Sequence, residues 1–173
     1  MTAAPDVVLV SSSDEKQRRL ITNALRDRLP VRTATGAETT AASLDASIAV
    51  VVVDATTVDL SVGALDTDDE RTFHQVLWLD RSAETTAEQV DAVLDRDASG
   101  EAIRTTVERL QLRARYDWLL TTFYELAAVG ESTDTASDTA HDREQELEAI
   151  KRELDRVAAQ LDDSDAFDIA LDE

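Results

Sequence analysis

The sequence predicts an α/β fold: a doubly wound, five-stranded parallel sheet followed by a C-terminal α-helical hairpin. Three observations carry this. The first is Ile48-Ala49-Val50-Val51-Val52-Val53-Asp54, an unbroken apolar run, mostly β-branched, that ends abruptly in a carboxylate. A run of this kind reads as a strand buried on both faces, as in a parallel sheet covered by helices. The second is the alternation of such short runs with amphipathic segments along the first two thirds of the chain. The third is a pair of long amphipathic segments after Gly100, parted by a Ser/Thr/Asp-rich stretch. Open α/β sheets place their ligand crevice just beyond the carboxyl ends of the strands, which makes Asp54 the first site candidate. The competing role for this Asp is capping of the turn that follows.

Taken in order, Val7-Val8-Leu9-Val10 reads as the first strand. Ser12 and Glu15 have the spacing of a capping box, so a helix is predicted to start there, with Leu20, Ile21, Ala24 and Leu25 on one face. Pro30 ends it. Val31-Arg32-Thr33-Ala34 is a brief second strand closed by Thr35-Gly36, and Glu38 to Ala46 an alanine-rich helix anchored by Leu44. Ile48 to Val53 is the third strand. Asp59 to Arg71, acidic and containing Gly63, fits either a short helix or an ordered loop. Val76-Leu77-Trp78-Leu79 is the fourth strand and ends in Asp80; Thr85 to Gln89 allows at most a short helix. Val90 to Leu94 is the fifth strand, interrupted by Asp91.

Asp97 to Gly100 leads into a long helix carrying Ile103, Val107, Leu110 and Ala114, continued by Leu112, Tyr116, Leu119, Phe123 and Leu126 and stopped at Gly130. From Gly100 to Val129 it would be about 45 Å long at 1.5 Å per residue, too long to belong only to the sheet. Residues 131–142 read as a solvated linker. Leu147, Ile150, Leu154, Val157 and Leu161 then recur at steps of three and four, the a/d seam of a coiled coil. That stripe needs a surface to close on: the overhanging half of the preceding helix, or a second chain. The predicted division is thus a sheet domain over residues 1–113, a hairpin over 114–161 and an acidic tail over 162–173, expected to be disordered.

Composition narrows the classes. Acidic residues number 37 against 17 basic, a net charge of −20, and only Lys16 and Lys151 are lysines. Such a surface repels itself in dilute buffer and tolerates concentrated salt, where the Debye length is about 3 Å. The lysine-poor, Asp-rich balance looks like that of a salt-in halophile, which makes the charge a solvent adaptation. No basic patch suits a nucleic-acid backbone, and residues 131–173, with 15 acidic and 4 basic side chains, offer no recognition helix. The absence of cysteine removes disulfide and thiolate chemistry. No apolar run approaches membrane-spanning length and no signal-type N-terminus is present, so a cytoplasmic protein without membrane partners is expected.

The order of strands and the Asp at the end of strand three resemble the receiver domain of two-component response regulators, of the flavodoxin-like fold. More specifically, the chain resembles the haloarchaeal type followed by a HalX domain. Val8-Leu9-Val10-Ser11 falls as the first strand, Val31-Arg32-Thr33-Ala34 as the second, and Asp54 at the phospho-acceptor position. Ile103 and Thr106-Val107-Glu108-Arg109-Leu110 match the last receiver helix; Tyr116-Asp117, Leu120, Phe123-Tyr124 and Leu126-Ala127 resemble the opening of HalX. The resemblance spans roughly residues 6–160.

It implies a site that this chain fills differently. A working receiver gathers an acid pair and the acceptor Asp around Mg²⁺, with a Lys for the phosphoryl group and a Ser or Thr that reports its arrival. Here the acid-pair positions are Ser12 and Ser13, Asp80 replaces the Ser/Thr, and Arg96-Asp97 replaces Lys-Pro. Asp14 and Glu15 are the candidate substitute metal ligands. Asp54 and Asp80 at one sheet edge would raise each other's pKa and repel phosphate unless a cation or Arg96 intervenes. An Arg fork differs from a compact ammonium, and a static Asp54–Arg96 pair is the expected outcome.

His74 and His141 lack a ligand cluster, Ser11 to Ser13 lack a base, and the isolated Gly36 and Gly63 form no phosphate loop. Trp78 and Trp118 read as core and hairpin packing. The resulting expectation is a non-enzymatic signalling module of the phosphorelay type: a HalX pseudo-receiver without catalytic residues, metal or cofactor. It would work through a protein partner such as a sensor kinase, another regulator or a second copy. The alternative is a phospho-accepting regulator in which Asp54 attacks a phosphohistidine around a rebuilt Mg²⁺ site.

Overall fold

In the computed structural model, residues 3–65, 74–80, 90–132 and 137–161 are described. The five strands are β1 (Val7–Ser11), β2 (Val31–Ala34), β3 (Ile48–Asp54), β4 (Gln75–Asp80) and β5 (Ala92–Asp95). They pair in the order β2-β1-β3-β4-β5, all parallel, which is the topology of a doubly wound sheet with β3 at its centre. Among the described residues the helices are α1 (Glu15–Leu25), α2 (Ala37–Ala42), α3 (Gly100–Ser132) and α4 (Ser137–Gln160), with a 3-10 turn at Val62–Ala64.

Strand alternation sorts the core into two layers. Val8, Val10, Val50, Val52, Leu77 and Leu79 face Ile21 and Leu25 of α1 and Ile103, Val107, Leu110 and Ala114 of α3. Leu9, Val51, Val53, Val76 and Trp78 point to the other side, where Ala34, Val58, Leu60 and Leu65 join them. Every residue of β3 is buried, as its unbroken apolar run requires. Helices α1 and α3 approach closely at Gly100, where an added Cβ would lie 3.2 Å from the Ala24 Cβ. Trp78, 6% exposed, is a core residue.

Several boundaries differ from the sequence reading. The cap of α1 is not Ser12: Asp14 occupies it, its Oδ1 accepting from the amides of Lys16 (2.9 Å) and Gln17 (3.3 Å). A carboxylate meets the helix's exposed amides and its positive end together, so it outcompetes a hydroxyl two residues upstream. The fifth strand begins at Ala92, not Val90. Asp91 stands just before it, its amide donating to the Val76 carbonyl (3.1 Å) and its side chain accepting from the Val76 amide (2.7 Å). Helix α2 stops at Ala42, short of Ala46. Gly130 does not end α3, which runs on to Ser132, and α4 already begins at Ser137. The predicted linker 131–142 is therefore helical at both ends; a single helix-disfavouring glycine, costing about 1 kcal/mol, does not break so long a helix. Residues 66–71 of the Asp59–Arg71 segment, all of Thr85–Gln89 and the tail 162–173 lie outside the described residues.

At 33 residues, α3 is about 50 Å long, and its second half leaves the sheet behind. Helix α4 folds back along it within the same chain. Leu119 of α3 and Ile150, Val157 and Leu161 of α4 form a buried cluster. Leu112, Tyr116, Trp118, Phe123, Leu126 and Leu154 flank it, half-buried. Leu147, nearer the hairpin tip, is half-exposed. Arg115 pairs with Glu153 at 2.7 Å and fixes the antiparallel register. The neck is tied to the sheet by Gln111, whose amide donates to the Asp6 carbonyl (3.0 Å), and by Gln75, whose amide donates to Asp117 (3.3 Å). No helix among the described residues is long and apolar enough to cross a membrane.

Candidate functional site

The site lies at the carboxyl edge of the sheet, where β1 and β3 end side by side and the β5–α3 loop crosses above them. Because β3 continues to its last residue, Asp54 is fully buried, 0% exposed. A buried carboxylate requires partners for both oxygens, and here it has six. Oδ1 accepts from Thr56 Oγ1 (2.7 Å), the Thr56 amide (3.3 Å) and Arg96 Nε (3.1 Å). Oδ2 accepts from Ser12 Oγ (2.8 Å), Thr57 Oγ1 (3.0 Å) and Arg96 Nη2 (3.3 Å). Arg96 thus grips the carboxylate side-on through two nitrogens, the fork geometry that a lysine lacks.

The same guanidinium reaches a second acid: Nη2 donates to Asp14 Oδ2 at 2.9 Å. Arg96 is itself held in place, its carbonyl accepting from Gln17 Nε2 (2.9 Å) and its amide donating to the Asp80 carbonyl (3.1 Å). Ser13 stitches the rim, its hydroxyl lying 2.8 Å from the carbonyls of both Thr35 and Thr57. Behind it, the buried hydroxyls of Ser11 and Thr40 lie 2.6 Å apart.

Burial alone would push the Asp54 carboxyl up. Hydrogen bonds from Arg96, Thr56, Ser12 and Thr57 outweigh it and hold Asp54 below its ordinary value of 3.8. The Arg96 guanidinium stands against Asp54 and holds its carboxyl down. The bond from Arg96, followed by the Gln17 amide, lowers Asp14 as well. Reciprocally, the bonds to Asp54 and then Asp14 raise Arg96.

The structure brings Ser12, Asp14, Asp54 and Arg96 into one network and sets Ser13 on its rim. Asp80, half-buried, lines a neighbouring cleft with Thr56, Thr57, Asp59 and Trp78. Glu15 is not part of the network: it points outward, its side chain 70% exposed and paired with Arg19 one turn on at 2.6 Å. His141 is likewise remote, on the surface of α4. Thr56 and Thr57 were not singled out by sequence reasoning, yet they supply half of the bonds to Asp54. Hydroxyls two and three residues beyond a strand-ending Asp are the pattern that could have revealed them.

No family model matches the chain, and no curated protein matches it. Solved structures do. The chemotaxis response regulator CheY4 of Vibrio cholerae is 19% identical, with a TM-score of 0.53, over 61% of this chain and 98% of that one. The receiver domain of the Francisella response regulator 1452 is also 19% identical, with a TM-score of 0.53, over 62% and 98%. The response regulator DrrB of Thermotoga maritima is 18% identical, with a TM-score of 0.54, over 64% of this chain and 54% of its own length. At these identities the likeness is one of fold: the sheet and its helices have the fold of response regulator receiver domains.

Proposed function

We propose that this chain is a pseudo-receiver: a non-enzymatic signalling module of the two-component type, in which a HalX-like hairpin extends a receiver fold whose switch has become a fixed ion pair. It acts in the cytoplasm through protein–protein contacts, with a sensor kinase, another regulator or a second copy as partner. The acidic, lysine-poor composition fits work in concentrated salt.

The observation that carries the reading is Arg96 bridging Asp54 and Asp14. Phosphoryl transfer to Asp54 needs a carboxylate oxygen free to attack and a divalent cation beside it. Each Asp54 oxygen already receives three donors, and both Asp14 oxygens are engaged, one in the α1 cap and one on Arg96. A hard dication also prefers oxygen ligands at 2.0–2.1 Å, whereas the nearest charged neighbour here is a guanidinium. These residues do not suit Mg²⁺, and a phosphoryl dianion arriving at Asp54 would meet Asp80 across the cleft.

The test is intact mass after incubation with Mg²⁺ and acetyl phosphate in concentrated KCl, with Asp54→Asn beside it. The expected result is no adduct on folded wild-type protein. An 80 Da phosphoryl adduct (a mass set by chemistry, roughly) on wild type but absent from Asp54→Asn would establish the phospho-accepting alternative and overturn the pseudo-receiver.

A further inference from the structure

The hairpin is electrically polarised along its length, against the trend of a chain whose net charge is −20. Its neck, residues 109–118 of α3 and 149–160 of α4, holds six basic and three acidic side chains, a net of +3. Its tip, residues 119–129 and 140–148, holds one basic and five acidic side chains, a net of −4. The Arg115–Glu153 pair shows that these α3 and α4 segments do lie alongside one another.

We propose that the hairpin is a self-association surface on which a second copy of this chain docks antiparallel, the tip of each against the neck of the other. An isologous contact about a two-fold axis requires a self-complementary patch, and a body positive at one end and negative at the other is one. The midpoint is marked by Ala149, small and exposed at the centre of α4. Asp142 and Arg156, both exposed, stand seven residues to either side of Ala149, with Arg156 also reaching Glu153 on its own helix. Seven residues is close to two helical turns, so all three share a face. A two-fold axis at Ala149 sets Asp142 of each copy against Arg156 of the other, which gives two pairs from one contact. Antiparallel docking would also add two helices to a hairpin whose buried cluster, among the described residues, is Leu119, Ile150, Val157 and Leu161, and a four-helix bundle covers the half-exposed flanks that a two-helix hairpin leaves open. This inference does not depend on whether Asp54 accepts phosphate.

The test is mass in solution by light scattering or sedimentation, on the full chain at up to about 100 µM, in about 0.15 M salt, where charges interact over roughly 8 Å. The expected wild-type species is twice the 19.0 kDa chain mass. Asp142→Arg alone and Arg156→Glu alone should each weaken dimerisation tenfold or more, while the two together restore it, with helicity unchanged throughout. A wild-type monomer at every concentration overturns the proposal, and so does a dimer indifferent to both reversals. A monomer that dimerises only when Asp162, Asp163 and Asp165 are changed to Asn also overturns it, by assigning the basic neck to the chain's own acidic tail.

Discussion

The sheet edge and the hairpin solve opposite problems. At the edge, one buried carboxylate is surrounded by more donors than it needs: six hydrogen bonds converge on Asp54, two of them from a guanidinium that also holds Asp14. Among the described residues of the hairpin, two long helices share a cluster of four buried side chains, and the rings of Phe123 and Tyr124 meet edge-on at its margin. The first region has a donor for every lone pair it offers; the second leaves much of its apolar flank half-buried.

The largest expected effect comes from removing the guanidinium. Arg96→Ala leaves a buried carboxylate without its counter-charge and should lower stability by about 3–5 kcal/mol, measured by urea unfolding. Asp54→Asn in the same background should recover much of that loss, because it removes the stranded charge. If Arg96→Ala proves neutral, the ion pair does not hold the edge together. The variant also sharpens the contrast: Mg²⁺ should stabilise Arg96→Ala more than wild type.

Core truncations compare the two regions directly. Leu77→Ala in the sheet should fall near the top of the range of about 2–5 kcal/mol for such changes, because its surroundings cannot collapse. Leu119→Ala in the hairpin should fall near the bottom of that range of about 2–5 kcal/mol, since two helices can close the gap. Equal losses, or loss of hydrogen-exchange protection in the sheet on truncating Leu119, would show one cooperative unit instead of two. A charge in the seam is harsher: Leu154→Asp should melt α4, read as lost helicity with the sheet retained, and unchanged stability would refute the seam.

Acid provides a smaller, graded probe. Asp54 and Asp14 are lowered from 3.8 in the folded state, so their contribution is complete well above pH 3.8 and is given up as the pH falls through that value toward the lower folded values. Asp45, held down to about 2 by Ser47 and then Arg32, adds a loss between 3.8 and about 2. Stability should therefore fall with acidification over this window, and in Arg96→Ala the share of that fall contributed by Asp54 should shrink or reverse, because protonation relieves the stranded charge. The smallest effect is expected for Asp14→Asn, which keeps a good helix cap and loses only the charge facing Arg96.

The fold was legible because parallel strands buried on both faces leave uninterrupted apolar runs, as in Ile48 to Val53, and because the long α3 carries its sheet-facing and hairpin-facing residues in periodic order. Boundaries were less so. Gly130 and the polar stretch after it look like a stop, yet helices tolerate one glycine when their length supports it. Asp91 looks like a strand residue but serves the neighbouring strand's amide with its side chain. At the site, the Asp54–Arg96 pair was expected through the resemblance to receiver domains, which sets Arg96 at their Lys position, near a carboxylate that must be neutralised. Asp14 as a shared partner did not follow, because only the turn after β1 decides whether its side chain caps α1, meets Arg96 or does both. Thr56 and Thr57 were hidden for a simpler reason: a hydroxyl carries no mark of the carboxylate it serves until the chain bends back on itself.

The continuity of α3 has a mechanical consequence. Its first half is seated in the sheet core by Ile103, Val107, Leu110 and Ala114, and its second half is the rod on which α4 rests, with no hinge between them. From Ala114 to Ser132 the overhang is about 27 Å, so a tilt of about 10° at the seat would swing the tip by about 5 Å. Whatever shifts that seat is read out, magnified, at the far end of the lever.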